Sequence, residues 1–153
     1  MSVQTVVTDN LAFGVVGEIQ NSTPSVVYPF IADSASGNVV GYAFTQTEEG
    51  KAVVGGTGIF VGILCNPKAY VNFNGDLSAN NEIKQGTLGE FLTKGAILLD
   101  LNGTASIADG IFFVNATGAL GAGTAAAGQT QITGAKVINY EVGANGLALV
   151  QIW

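Results

Sequence analysis

Cys65 is the one cysteine of the chain, and it sits in the apolar run 59–65, IFVGILC. A thiol attacks only as its thiolate, which needs a neighbouring cation or an imidazole base. The chain has no histidine and no arginine, so the usual activating base is missing and Cys65 reads as a small buried hydrophobe. Without a second cysteine no disulfide forms within the chain. The absence of histidine also removes any Ser/His/Asp triad and the usual zinc sites built from Cys and His.

The acidic side chains offer little more. Eleven carboxylates are scattered along the sequence, with one adjacent pair at Glu48-Glu49 in TEEGK. Neighbours in a strand point to opposite sides, and a turn leaves both solvated. Glycosidase-type chemistry instead needs two carboxylates facing each other across a cleft, and no cluster of aromatic and acidic residues marks one. Asp76, Ser78, Asn80 and Glu82 place oxygen ligands at alternate positions, faintly like a calcium loop. Position six is not glycine and position twelve is not glutamate, so a polar loop is expected. Gly55-Gly56-Thr57-Gly58 invites a phosphate-loop reading, but it lacks the GK[ST] ending and precedes a strand pattern rather than a helix. It reads as a β-turn. The sequons Asn21-Ser22-Thr23 and Asn115-Ala116-Thr117 matter only for exported chains. The opening MSVQTVVTDN has neither a basic start nor a long apolar stretch, so use without export by that route is expected. No catalytic, cofactor-binding or metal-binding residue is assigned, and the chain is not expected to be an enzyme.

Composition narrows the remaining classes. Hydrophobic residues make up 48% of the 153 residues and charged residues 10%, against roughly 25% charged in an ordinary soluble domain. Such a chain is either membrane-embedded or a subunit whose surface other proteins cover. No stretch approaches the roughly 20 apolar residues of a spanning helix. The net charge is −6 with five lysines, which leaves no basic patch to neutralise phosphates and argues against a nucleic-acid partner. A covered subunit is the class that fits.

The elements that would position these residues are β throughout. Runs rich in Val, Ile, Phe and Tyr alternate with Gly, Asn, Asp and Ser clusters about every ten residues. The pattern predicts strands at 3–8, 12–19, 26–31, 39–45, 51–54, 59–64, 69–73, 96–101, 111–114, 135–142 and 147–153. Asn-Gly pairs at 74–75, 102–103 and 145–146 supply tight turns, the last closing a C-terminal hairpin. A short helical turn around 88–94 is the single helical candidate, and the uncharged stretch 118–134 reads as a flexible loop. The fold class is all-β: a single compact domain of short antiparallel strands, sandwich or barrel-like, over residues 11–153. Residues 1–10 form an N-terminal arm or edge strand able to add to a partner.

Alternation is the more telling feature. A strand with one wet face should alternate apolar and polar residues, yet many here do not. Ala148, Val150 and Ile152 lie on one face of the last strand, and Leu147, Leu149 and Trp153 on the other. Phe112 and Phe113 point to opposite sides, as do successive members of Ile97-Leu98-Leu99. Two explanations stand: the second faces are buried between subunits, or one large, convoluted core takes both.

Three blocks carry a family resemblance. Phe13-Gly-Val-Val-Gly-Glu18-Ile19 followed by Pro24, the stretch GGTGIFVGILCNPKAY over 55–70, and Gly134-Ala-Lys-Val with the hairpin ending in Leu147-Ala-Leu-Val-Gln-Ile152 are similar to corresponding blocks of the structural cement, or capsid decoration, proteins of tailed bacteriophages. The likeness touches most of the chain, though its motifs are packing and turn patterns. It implies a homotrimeric subunit on the outer surface of the virion, made in the bacterial host cytoplasm and bridging neighbouring major capsid proteins. It implies no enzyme activity, cofactor, small-molecule substrate, membrane or nucleic-acid partner. Phe13, Val16, Phe60, Phe112, Leu147, Leu149 and Trp153 are the expected subunit or capsid contacts. The competing reading is a carbohydrate-binding or adhesive β-domain of a phage fibre, for which Tyr28, Tyr42, Tyr70 and Tyr140 would be the stacking aromatics.

Overall fold

The computed structural model describes residues 14–20, 24–66, 81–140 and 147–153. The predicted strands at 3–8 and 69–73, residues 12–13 of that at 12–19, and the Asn-Gly pairs at 74–75 and 145–146 lie outside the described residues, and the rest of the 12–19 run becomes strand only at Ile19. Within them the chain is all-β, as its composition of β-branched and aromatic runs demands. Ten strands follow in order: β1 (Ile19–Gln20), β2 (Val26–Ile31), β3 (Ala43–Gln46), β4 (Ala52–Val54), β5 (Phe60–Leu64), β6 (Leu88–Asp100), β7 (Gly110–Val114), β8 (Leu120–Ala122), β9 (Gln129–Tyr140) and β10 (Leu147–Ile152). No described residue is helical.

The long strand β6 organises the molecule. At Phe91 and Leu92 it pairs with β2 on one side and β5 on the other; at Ala96 and Ile97 it pairs with β1 and β10. The strands run in the order β4-β3-β5-β6-β10-β9-β7-β8, with β1 and β2 attached to β6. All of these strand pairs are antiparallel, and bulges in four of them bend the ladder. The strands thereby curl into a half-barrel whose margins meet at two seams. Ala32, just past β2, bridges Ala52 of β4, and the Asp33 N–H donates to the Ala52 carbonyl at 2.8 Å. Asn102, just past β6, bridges Gly121 of β8.

Curling creates two adjoining cores. One gathers Ile97, Leu99, Ile111, Phe113, Leu120, Val137, Ala148 and Val150 with Ile63 and Leu92. The other holds Phe44, Leu64, Val61 and Phe91, where Phe91 makes edge-to-face contacts with Phe44 at 5.0 Å and Phe30 at 5.9 Å between centroids. The open margin of β2 is blunted. The Cys65 N–H donates to the Glu90 carbonyl, so Glu90 faces β5, and its cross-strand partner Pro29 turns a nitrogen without hydrogen toward the margin. A proline there denies an incoming strand one donor.

Three expectations are corrected. Residues 88–94 form the first half of β6, not a helical turn. Leu88 to Phe91 alternate exposed and buried, and Gly89 permits close packing where a β-carbon would lie 2.8 Å from Leu64 Cδ1. The stretch 118–134 is not a loop: it contains β8 and the first half of β9, both paired with β7. The bare Gly121 backbone accommodates the Phe112 ring, whose atoms lie 2.5 to 3.2 Å from where a β-carbon would be. Lastly, the doubly apolar strands are covered largely within this one chain. Ile97, Leu98 and Leu99 are all fully buried, because the two cores and the segment before β1 take opposite faces of β6.

Candidate interaction surface

Among the described residues no group of three His, Cys, Asp or Glu side chains is placed to hold a metal ion. Among the described residues no helix is long and apolar enough to cross a membrane. Cys65 is buried beside β6, and burial pushes its thiol up to about 12, far from a thiolate at neutral pH. Glu48 and Glu49 are exposed at a turn, and Glu49 pairs with Lys51 at 3.2 Å. Lys51 also reaches Asp33 at 3.5 Å across the Ala32–Ala52 seam. The hydrogen bond and charge of Glu49, together with Asp33, raise the Lys51 ammonium above its ordinary 10.5. Gly55 and Gly56 adopt left-handed angles in a bend that leads into a strand, as a turn would. Glu82 accepts the Gly37 N–H; the rest of the calcium-like stretch lies outside the described residues.

What remains as a site is apolar surface. Of the expected contact residues, Phe13 lies outside the described residues. Val16 is half-buried and packs on Gly41, where a β-carbon would come to 2.5 Å from its Cγ1 atom. Phe60 is half-buried, its ring stacked 6.1 Å from that of Phe113 in the core. Phe112 is half-buried over Gly121. Leu147 is 4% exposed, paired with Asp100, and Leu149 is half-buried opposite Leu98. Of the six that are described, Trp153 alone stands clear of the fold, at 71% exposure. Its N–H donates to the Gly134 carbonyl at 3.2 Å.

The structure exposes other large apolar side chains that strand periodicity did not single out. Ile59 is 75% exposed in the bend before β5, and Ile107 is 68% exposed at a turn tip. That turn is tightly held. The Ser106 N–H donates to Asp109 Oδ2 at 2.8 Å, the Asp109 N–H to the Ser106 carbonyl at 3.1 Å, and the Ala108 N–H to the Val137 carbonyl at 2.8 Å. Ala108 sits at φ +74°, an uncommon angle for a residue with a side chain. Ile31 and Leu88 form an exposed cross-strand pair on β2 and β6, and Val15 and Tyr28 are also exposed. The sequence clue was a lone large aliphatic residue inside a turn, as in Gly58-Ile59 and Ser106-Ile107-Ala108-Asp109. Of the tyrosines, Tyr28 is exposed and Tyr42 half-buried; Tyr70 and the Tyr140 side chain lie outside the described residues.

The described residues form an all-β half-barrel that bears isolated apolar tips. The family model for the structural cement protein (E217 gp24/Pam3 gp6) matches residues 3–152. Among solved structures, the chain is similar to one from the capsid of Myoviridae phage XM1. The two share 16% identity at a TM-score of 0.68, over 99% of this chain and 98% of that chain, a likeness of fold. No curated protein matches the chain. Sequence across nearly its whole length and the curl of its strands agree: the chain belongs to the structural cement protein family of phage capsids.

Proposed function

We propose that this cement protein binds the outer surface of a phage head as a homotrimer and bridges neighbouring major capsid proteins. The match to the cement family across residues 3–152 carries the reading. A net charge of −6 supports the outer position, since an acidic chain gains nothing from facing packaged DNA. Exposed apolar side chains at Ile59, Ile107 and Trp153 supply contacts of the kind that interfaces bury. A specific interface buries roughly 1,200–2,000 Å² in total, and a trimer offers several such contacts at once. Internal pressure must then break those bridges before the shell parts. The role is mechanical, and the chain carries no catalytic activity.

The test is to purify heads with and without the protein. It should appear in stoichiometric amounts on particles and as a trimer in light scattering. Heads lacking it should burst at lower temperature or on osmotic shock. Heads of unchanged stability would refute the bridging role.

A further inference from the structure

Asn102 closes the second seam of the half-barrel. Its N–H donates to the Leu120 carbonyl at 2.9 Å, and it forms a parallel bridge with Gly121. The residue that follows is Gly103, and both are exposed. Gly103 has φ +92°, and a β-carbon built on it would meet no atom within 4 Å. Among the described residues, neither the Gly103 N–H nor the Asn102 side chain makes a hydrogen bond. Downstream, Ala105 packs against the larger core and the Ser106 N–H bonds to Asp109 Oδ2. A free amide nitrogen therefore follows a free side-chain amide, in an open stretch between two fixed points.

We propose that Asn102-Gly103 is a self-modifying site, at which loss of the asparagine amide converts the seam residue to aspartate and isoaspartate. The Gly103 backbone nitrogen, giving up its proton to solvent base, attacks Cγ of Asn102. The N–Cγ bond forms, the Cγ–Nδ2 bond breaks, and ammonia leaves with a proton from water. Water then opens the cyclic imide at either carbonyl. Opening at Cγ gives aspartate; opening at the main-chain carbonyl gives isoaspartate, with the backbone rerouted through the side chain. The sum is amide plus water to carboxylate plus ammonium, with no change in oxidation state. The step needs a nitrogen unhindered by a side chain, no hydrogen bond to break, and freedom to rotate. Gly103 meets the first two conditions, and its open surroundings meet the third.

Position makes the reaction consequential. Isoaspartate adds a methylene to the main chain between the N–H that meets Leu120 and the next peptide, so the chain beyond Cα shifts and the Gly121 bridge loses its register. Leu120 behind the seam is buried in the larger core. The seam therefore loosens with age and faster at alkaline pH, independently of how the protein engages a shell.

The experiment holds the full-length protein at neutral and mildly alkaline pH, follows released ammonia, and maps aspartate and isoaspartate by peptide mass spectrometry. The peptide carrying Asn102 should convert, faster as pH rises, and Asn102→Gln should abolish conversion there. Aged wild-type protein should melt below aged N102Q, whereas fresh Asn102→Asp should keep its melting temperature, because it changes charge without lengthening the backbone. A synthetic peptide of residues 101–105 is the control. Conversion of the peptide with Asn102 intact in the folded protein would overturn the proposal, and conversion without a fall in melting temperature would overturn its effect on the seam.

Discussion

Leu98 lies directly beneath Gly14: a β-carbon on that glycine would collide with the leucine Cδ1 atom and come within 2.8 Å of Glu18 Oε2. The contact explains how the second half of β6, Ala96 to Leu99, is apolar on both faces without exposing either. The segment before β1 lies over Leu98, pinned by the Gly17 N–H to the Leu98 carbonyl at 2.7 Å and the Leu98 N–H to the Glu18 carbonyl at 3.0 Å. Gly14 also holds φ +149°. Gly14→Ala should therefore lower stability by about 1–3 kcal/mol, read as a lower denaturant midpoint. An unchanged midpoint would mean that this segment does not cover Leu98 in solution.

Gly62 should tolerate substitution less well. Its φ is +142°, and a β-carbon would lie 2.7 Å from the Leu92 carbonyl oxygen, a backbone atom held in the β5–β6 ladder. Strain and overpacking add there, giving about 2–5 kcal/mol for Gly62→Ala. At Gly121 the obstacle is the Phe112 ring, which can swing toward solvent, so Gly121→Ala should cost less. Equal unfolding midpoints for the two variants would contradict this ordering.

Cys65 reports on opening of the core. Because burial raises the thiol to about 12, alkylating reagents at pH 8 should label it only in denaturant. The sign of the pH effect follows. A raised folded value means that the stability tied to the neutral thiol is complete below its ordinary 9.0 and declines as pH climbs toward about 12. Cys65→Ala should flatten that part of the alkaline profile. Rapid labelling of the native protein would show that the pairing of β5 with β6 opens readily.

Surface tips and core positions should separate cleanly in binding assays. Ile59→Ser, Ile107→Ser and Trp153→Ser should fold with nearly wild-type melting temperatures and lose occupancy on heads in sedimentation assays. Leu147→Ala, at a buried site, should instead cost about 2–5 kcal/mol of stability. Full occupancy by all three tip variants would move the contact surface elsewhere.

Much of the fold was legible along the chain. β2, β5, β7 and the β9–β10 hairpin follow β-branched and aromatic runs bounded by turn residues, where local preference and tertiary pairing agree. Residues 118–134 were not legible, because Leu120-Gly-Ala and Gln129-Thr-Gln-Ile have little strand character of their own. They become strands because β7 offers them hydrogen-bond partners and Phe112 needs the bare Gly121 surface. Residues 88–94 were ambiguous for the same reason: Leu, Glu and Lys suit a helix, and pairing with β2 and β5 overrules them.

The missing histidine and arginine, the scattered carboxylates and the apolar strands of β length determined the class and argued against an active site before any atom was placed. Which neighbour covers each apolar face was decided only in three dimensions. Side-chain type records that a residue avoids water; it does not record whether the cover is a glycine-bearing segment of the same chain, as over Leu98, or another molecule, as proposed for Ile107. That choice depends on how tightly the strands curl, and the curl arises from bulges and left-handed glycines whose partners lie far away along the chain.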